Sequence, residues 1–483
     1  MMLPAFAGSA VAQESLKTGP AEAPASATSD ATVSPPPEAP IIPAAPSTPT
    51  PPAGKSENAG FGESWAERTF GVPVHGYLST RYRYRSTDGA RDQDLYESLN
   101  LTIGDPDRQR VTVHFLGRAS ADLDGRRDIR GFYVFDSLAD TYRNPIHGQI
   151  YDAYIDVHRI PLLDTARIGR QIIDETPVTA WFDGGRFETR ESDGVAVKSG
   201  VYGGVPVHPF ETSREGDRMA GAFFQIKPWK GAKGRVDWMY VTDDTHLFGR
   251  ERNDLEGYSF WQGFGETLRL HTRYTRLENL SRDILVDGTF LRPDWDFRLQ
   301  ASFYEQIVTL RDFAVEFDPF FASLFDLHPY YQTRVSASKG IGEHAIVDAG
   351  VDLRRMINLA ERGPFNRDYD RYHLTPSVHD WPVPGLSVSV TGEIWNGVGS
   401  DIATAGADIT YEWLRKFRAS AGTTYTLYRY DYYLDQERDD VRTWYANFRY
   451  RVRDDLRLDL GYELERDSLG TFHVVKAGVT WSF

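Results

Sequence analysis

From Val74 to the C-terminus the chain alternates apolar and polar residues with a period of two. In the closing stretch, Val475, Ala477, Val479, Trp481 and Phe483 share one face of an extended ribbon, while Lys476, Gly478, Thr480 and Ser482 share the other. Residues 456–464 repeat the design, with Leu456, Leu458, Leu460, Tyr462 and Leu464 opposite Arg457, Asp459, Gly461 and Glu463. Residues 444–453 set Trp444, Ala446, Phe448, Tyr450 and Val452 against Tyr445, Asn447, Arg449, Arg451 and Arg453, and Asp454-Asp455 leaves room only for a tight turn. Side chains two apart on a strand point the same way, so each ribbon offers one face to hydrocarbon and one to water.

Alternation of this kind fits any sheet with one wet face, a soluble sandwich included. The number of ribbons decides between them. Between turn signals the pattern predicts strands from 74–86, 94–104 and 109–122 through to 417–433, 444–453, 456–464 and the closing ribbon, twenty-two in all, with a pair at 193–200 and 201–208 the weakest by pattern. Short connections fall at 105–108, 159–163, 230–233, 263–265, 293–294, 340–343, 380–384, 415–416 and 454–455, and long ones near 123–147, 173–192, 244–254, 311–329 and 358–367. Short and long alternate, as in an even-numbered membrane barrel with both chain ends on one side. The expected fold is all-β, a transmembrane antiparallel up-and-down barrel of 18 to 22 strands over residues 61–483. Aromatic groups near strand ends, such as Trp413 and Tyr428, Tyr430, Tyr432 and Tyr433, fit interfacial girdles.

Composition supports this class. Mean hydropathy is -0.46 with 13% aromatic residues, and no apolar run approaches the length of a membrane helix. A barrel escapes such a scan because each strand gives only alternate residues to lipid. The absence of cysteine rules out disulfides, thiolate metal centres and thioether-bound haem. No cofactor or metal is expected.

The first twelve residues, MMLPAFAGSAVA, match the end of a secretory signal, with Ala10-Val11-Ala12 as the small-residue cleavage site; the missing basic head points to a start codon further upstream. Residues 13–60 are rich in Pro, Ala, Ser and Thr, including Pro35-Pro36-Pro37. Such a segment buries no core, and at ~3.1 Å per residue in a polyproline conformation it reaches on the order of 100 Å. A disordered arm in the periplasm is the expectation, serving as a spacer or reaching a periplasmic partner.

Arginine dominates the cations, with nine lysines among 54 basic residues. Many arginines fall on the polar face of a strand: Arg81, Arg83, Arg85, Arg269, Arg273, Arg298, Arg334, Arg354, Arg449, Arg451 and Arg453. Carboxylates share that face, among them Asp352, Glu393, Asp408, Glu412 and Glu463. These are the expected pore-lining residues. They read equally as cross-strand pairs that stiffen a wide wall and as a charged path for an anionic solute, since arginine rings favour anions. The net charge of -15 belongs partly to connections such as 431–440, where carboxylates bridge divalent ions to lipopolysaccharide or stay solvated.

One segment departs from the rest. Arg167-Ile168-Gly169-Arg170-Gln171 ends a strand, and the connection 173–192 then carries Trp181, Phe182, Asp183 and Arg186 around Gly184-Gly185. A connection rich in Gly and aromatics can fold back and narrow a barrel, so these four are the expected constriction residues. With its R-x-G-R-Q strand, its F-D-G and the terminal Trp481-Ser482-Phe483, the sequence resembles large outer-membrane barrels of the porin and alginate-export type over about forty residues plus the C-terminus. The resemblance implies a conduit in the outer membrane of a Gram-negative cell, with Phe483 read by the barrel-assembly machinery. It does not imply alginate as cargo.

Searches for catalytic chemistry return nothing: Gly54-Lys55-Ser56 lacks the upstream glycine of a phosphate-binding loop, and there is no H-E-x-x-H or G-x-S-x-G. An enzyme is not expected, and the negative charge disfavours nucleic acid. The leading expectation is an outer-membrane conduit for an anionic solute or polymer, with exopolysaccharide export through a periplasmic partner as one form. The alternative is a barrel that sheathes a partner such as a multihaem cytochrome.

Overall fold

The computed structural model describes residues 71–483 apart from 88, 125–143, 174–178, 193–195, 209–212, 246–248, 309–327, 363–367, 398–399, 415, 432–435 and 467–469. The signal and arm expected at 1–12 and 13–60 lie outside the described residues. In chain order the strands are β1 (Val74–Thr87), β2 (Ala90–Ile103), β3 (Val111–Asp122), β4 (Ile146–His158), β5 (Leu163–Ile173), β6 (Ala180–Thr189), β7 (Ala196–Pro206), β8 (Arg218–Lys227), β9 (Ala232–Thr245), β10 (Gly249–Phe264) and β11 (Leu268–Leu277). They continue as β12 (Leu280–Arg292), β13 (Phe297–Gln306), β14 (Tyr330–Ile341), β15 (Ala345–Met356), β16 (Tyr369–His379), β17 (Leu386–Gly397), β18 (Ser400–Trp413), β19 (Phe417–Asp431), β20 (Gln436–Arg453), β21 (Leu456–Arg466) and β22 (Thr471–Ser482).

Each strand pairs antiparallel with its neighbours in sequence, and β1 pairs with β22, so the 22-stranded sheet closes. Closure leaves no row of unpaired backbone groups. At the seam Leu78 stands opposite Trp481 and Tyr82 opposite Ala477, and the backbone groups of Phe483 and Gly76 exchange two hydrogen bonds of 2.9 and 3.0 Å. The terminal aromatic thus finishes the seam.

Partners directly opposite in register share a face, so the two surfaces can be followed around the whole ring. One surface carries Leu78, Val335, Val390, Ile394, Ile409, Phe448, Leu460 and Val479, all more than a third exposed. The other carries the ionic residues, and side chains from β1, β2, β3 and β19–β22 on that face converge on a single cavity. The charged face is therefore the concave one and the apolar face the outer one. The alternation was legible for this reason: each ribbon has one apolar and one charged face.

The strand count agrees with the sequence expectation, yet two compensating errors lie beneath it. Residues 180–189 form wall strand β6 and no infolded constriction, and the ribbons expected at 193–200 and 201–208 are one strand, β7. Glycine misled the reading. A Cβ at Gly184 would stand 2.1 Å from the Gly203 carbonyl oxygen, and one at Gly204 2.2 Å from that of Asp183, so the close β6–β7 pairing admits glycine at these positions. The residues that look like loop punctuation are there to let two strands approach.

The two barrel ends differ less than expected. At the end where β1 starts and β22 finishes every connection is short, including those at 159–162 and 454–455. At the opposite end, Asp122 to Ile146, Gln306 to Tyr330 and Met356 to Tyr369 are long, but Thr87 to Ala90, Thr245 to Gly249, Leu277 to Leu280 and Gly397 to Ser400 are tight. The expected loop at 244–254 is mostly strand. Glu278 and Asn279, with φ of 47° and 78°, make a two-residue turn whose twist matches that of the flanking strands. The Tyr428–Tyr433 cluster lies outside the described side chains.

A buried core exists as well, on the concave face. Ile173, Phe182, Tyr202, Met219, Met239, Val241, Leu255 and Leu277 form one apolar cluster on β5–β11 toward the long-loop end, with Val308 against it. Here the inner face is apolar, so alternation alone mislabels it.

Candidate functional site: the basic sector of the lumen

The cavity of about 850 Å³ on the concave face is bounded by β19, β20, β21, β22, β1, β2 and β3. Its cations are Arg81, Arg83 and Arg85 from β1, Arg118 from β3, Arg418 from β19, Arg449 from β20, Arg457 from β21 and Lys476 from β22. Each occupies the polar alternate of its strand, the position that the outward apolar residues leave to the lumen.

Six of these eight cations have a polar side-chain partner. Arg83 Nε donates to Asp94 at 3.0 Å and Arg85 Nε to Asp92 at 2.8 Å. Lys476 donates to Glu463 at 2.6 Å. Arg449 and Arg457 share one carboxylate, with Nε donating to Asp459 at 2.7 and 2.8 Å. Arg118 donates to Gln149 at 3.0 Å and lies over the rings of Tyr96 and Tyr151. Arg81 and Arg418 bind no carboxylate among the described residues.

Register sharpens the imbalance. Arg83 stands directly opposite Lys476, Arg418 opposite Arg449, and Arg451 opposite Arg457. Like charges directly opposite destabilise a sheet, so these three facings work against the wall while the carboxylate pairs of the same residues support it.

The remaining expected pore-lining residues fall elsewhere on the concave face. Arg334 donates to Asp352 at 2.9 Å, and Asp352 also accepts from Gln332 at 2.7 Å. Glu393 accepts from Arg371 at 2.7 Å. Arg354 is buried with its guanidinium 3.9 Å from the Tyr330 ring centroid. Arg273 is 3.4 Å from Asp283. Asp408 accepts from Tyr445 at 2.5 Å and from Thr410 at 3.2 Å. Arg269 stands opposite Thr289, Arg298 opposite Ser338, and Glu412 opposite Arg418. Arg453 lies past the register shift after Arg451 and pairs with Asp455 at 3.1 Å, which puts it at the β20–β21 turn and not on the lumen wall.

The four expected constriction residues divide between the two surfaces of β6. Phe182 is fully buried in the inner apolar cluster, and Arg186 donates to Glu188 on the concave face at 2.6 Å. Trp181 and Asp183 take the outer alternates, where Asp183 meets Arg170 at 2.7 Å. Sequence reasoning overlooked Arg118, Arg418, Arg457 and Lys476 as lining residues, although it set the last two on polar faces. Arg418 and Arg118 were discoverable too, because Arg418 is the polar alternate between outward Phe417 and Ala419, and Arg118 that between Gly117 and Ala119.

Among the described residues no cluster of side chains could hold a metal ion, and no helix is long and apolar enough to cross a membrane, which says nothing of strands. No family model and no curated protein matches the chain. Solved structures that align with it include an outer membrane protein and a porin. OccK3 (OpdO) of Pseudomonas aeruginosa is 12% identical over 85% of this chain and 95% of its own, with a TM-score of 0.42. The outer membrane protein opdK of the same organism is 12% identical over 85% and 99%, with a TM-score of 0.44. A BenF-like porin of Pseudomonas fluorescens Pf-5 is 13% identical over 85% and 98%, with a TM-score of 0.42.

Proposed function

We propose that this barrel spans a bacterial outer membrane and conducts anionic solutes, drawn along the β19–β3 sector of its lumen. The membrane assignment rests on the outer face. Val390, Ile394, Ile409 and Leu460 are each about half exposed in a band that encircles the barrel, far more contiguous apolar surface than a water-soluble protein carries. The start of β1 and the end of β22 lie at the short-turn end, which in barrels of this architecture faces the periplasm. The arm at 13–60 would then be periplasmic and free to reach an export partner.

One observation carries the anion preference: cations are held opposite cations across β1–β22, β19–β20 and β20–β21 at the expense of sheet stability. A wall built only to stand would alternate sign there. With Arg81 and Arg418 unclaimed by carboxylates and Arg449 and Arg457 sharing Asp459, the sector has guanidinium donors left for a carboxylate, sulfonate or phosphate on a passing solute. Guanidinium planes suit those groups bidentately, and a row of incompletely neutralised sites lets an anion enter and leave.

The direct test is a planar-bilayer recording across a KCl gradient. The reversal potential should report chloride over potassium, and Arg81→Gln/Arg418→Gln should reduce that preference. A protein that inserts without conducting, or that prefers potassium, overturns the proposal.

A further inference from the structure

Two glycines on the concave face of the basic sector are not required by the wall. Gly461 on β21 stands opposite Asn447 and Lys476, Gly478 on β22 stands opposite Asp459 and Arg81, and both border the cavity. Neither takes a left-handed backbone, and the register of β21–β22 and of β22–β1 runs through them without a shift. A Cβ at Gly478 would stand 3.5 Å from Arg81 Cγ, 3.6 Å from the Thr80 carbonyl oxygen and 3.9 Å from Asp459 Cβ, all ordinary contacts. One at Gly461 would press only on the Asn447 amide oxygen, at 2.9 Å, the far end of a side chain. At Gly184 and Gly204 another backbone needs the space, and here none does. Glycine inside a strand weakens it and marks a place where a backbone or a ligand comes close. What is left to come close at Gly461 and Gly478 is a molecule in the lumen.

Charge says what kind of molecule. Arg81 leans over Gly478 from β1, and no carboxylate binds it among the described residues. On the other side Arg449 and Arg457 both donate through Nε to Asp459, and Arg457 Nη2 reaches Thr480 of β22 at 3.4 Å. The next cations around the recess are matched one to one, Lys476 by Glu463 and Arg83 by Asp94, and Arg418 stands a strand beyond Arg449. Three guanidinium groups against one carboxylate leave two positive charges around the glycine floor. Arg81 and Arg457 spring from strands on either side of β22, about 10 Å apart, so their planes can close on a small group between them.

We propose that this recess is a binding site for a phosphate monoester group on a permeating solute, seated over Gly461 and Gly478 between Arg81 on one side and Arg449 and Arg457 on the other. A monoester carries about -1.5 to -2 charges at pH 7 and three acceptor oxygens. That matches two uncompensated charges and guanidinium donors converging from two sides. A carboxylate or a sulfate ester brings one charge and leaves the second positive charge unanswered. The inference rests on the anion-conducting lumen proposed above and narrows it to one class of solute.

Methyl phosphate and methyl sulfate share a shape and differ by one charge, while acetate lacks both the shape and the second charge. Added to one side of a planar bilayer, methyl phosphate should halve the chloride current at a concentration roughly tenfold below that needed for either of the others. Gly478→Val puts a side chain on the floor of the recess and should bring methyl phosphate to the level of methyl sulfate. Gly461→Ala fills less of it, should reduce the advantage in the same direction, and covers the case in which the valine variant fails to fold. Titration calorimetry of the detergent-solubilised barrel with the same three anions should give the same ranking without any current, so a barrel that does not conduct still tests the recess. Equal potency of methyl phosphate and methyl sulfate overturns the proposal, and so does a folded Gly478→Val that keeps the full advantage. An intact ranking in a barrel that shows no chloride preference would instead overturn the conduction proposed above and leave the recess standing.

Discussion

Two stretches of the concave wall arrange their charges differently. In the β14–β17 sector, register sets unlike charges against each other: Arg334 faces Asp352, Asp352 faces Arg371, and His373 faces Glu393. The bonds follow, with Arg334 on Asp352 and Arg371 on Glu393. In the β19–β1 sector three facing pairs are alike, Arg83 with Lys476, Arg418 with Arg449 and Arg451 with Arg457, beside one unlike pair, Arg449 with Asp459. Cross-strand pairs of opposite charge contribute roughly 0.2–1 kcal/mol each, and like pairs oppose the sheet. The first sector spends its charge on the wall, and the second keeps it for what passes through the lumen.

That contrast is broken most directly by reversing charge in the second sector. Arg81→Glu/Arg418→Glu removes the two cations that no carboxylate claims and puts acids in their place. Bilayer reversal potentials should change sign, from chloride preference to potassium preference, while the heat-modified gel shift that reports the folded barrel stays unchanged. A reversal potential that does not move would show that the lumen's selectivity is set elsewhere.

The paired sector should respond in the opposite way. Arg334→Gln leaves Asp352, which is 5% exposed, without its guanidinium, although Gln332 still donates to it. Losing one charged hydrogen bond to a buried carboxylate costs about 2 kcal/mol. Urea unfolding from detergent or lipid should show that loss, with the reversal potential within error of the parent. An unchanged unfolding midpoint would mean that the two sectors do not divide labour as drawn.

How much of this could be read from the chain depends on which solvent each residue meets. Strands with hydrocarbon on one side and water on the other, such as β20 to β22, are legible residue by residue. β6 was not, because Gly184 is needed where backbones approach closely, and a Gly-Gly pair reads as a turn. β7 was divided between Gly200 and Val201, and Gly200 too is a packing glycine, since a Cβ there would stand 2.4 Å from the Phe223 ring. The inner apolar cluster was hidden because Met219, Met239 and Leu255 lie on the face that alternation assigns to water. Most of the lining arginines were identified, since a charge on an alternating strand can point in only one direction. What the sequence did not disclose is who faces whom. The tight turn at Asp454-Asp455 leads to Arg451 opposite Arg457, but the facing of Arg83 and Lys476 needs the closure of β1 on β22, a contact between the two ends of the barrel.

The smallest effect should come from relieving one like-charge pair. Lys476→Gln removes a cation from opposite Arg83 while keeping a side chain that can donate to Glu463, which Lys476 now reaches at 2.6 Å. Two terms compete. Relief of repulsion across β1–β22 stabilises by a few tenths of a kcal/mol, and loss of an exposed ion pair costs up to ~1 kcal/mol, with the median near zero. Because Lys476 is about half exposed and Glu463 is reached by a flexible ammonium, the second term is weak, and the net change should stay within about 0.5 kcal/mol of the parent in urea unfolding. Chloride preference should fall only slightly, since Arg81 and Arg418 remain. Salt separates the two contributions: the difference in anion preference between the variant and the parent should be largest near 0.1 M, where the screening length is about 10 Å, and vanish near 1 M, where it is about 3 Å. A difference that persists at high salt would assign Lys476 a direct contact with the permeating anion and move the centre of the basic sector from β19 toward β22.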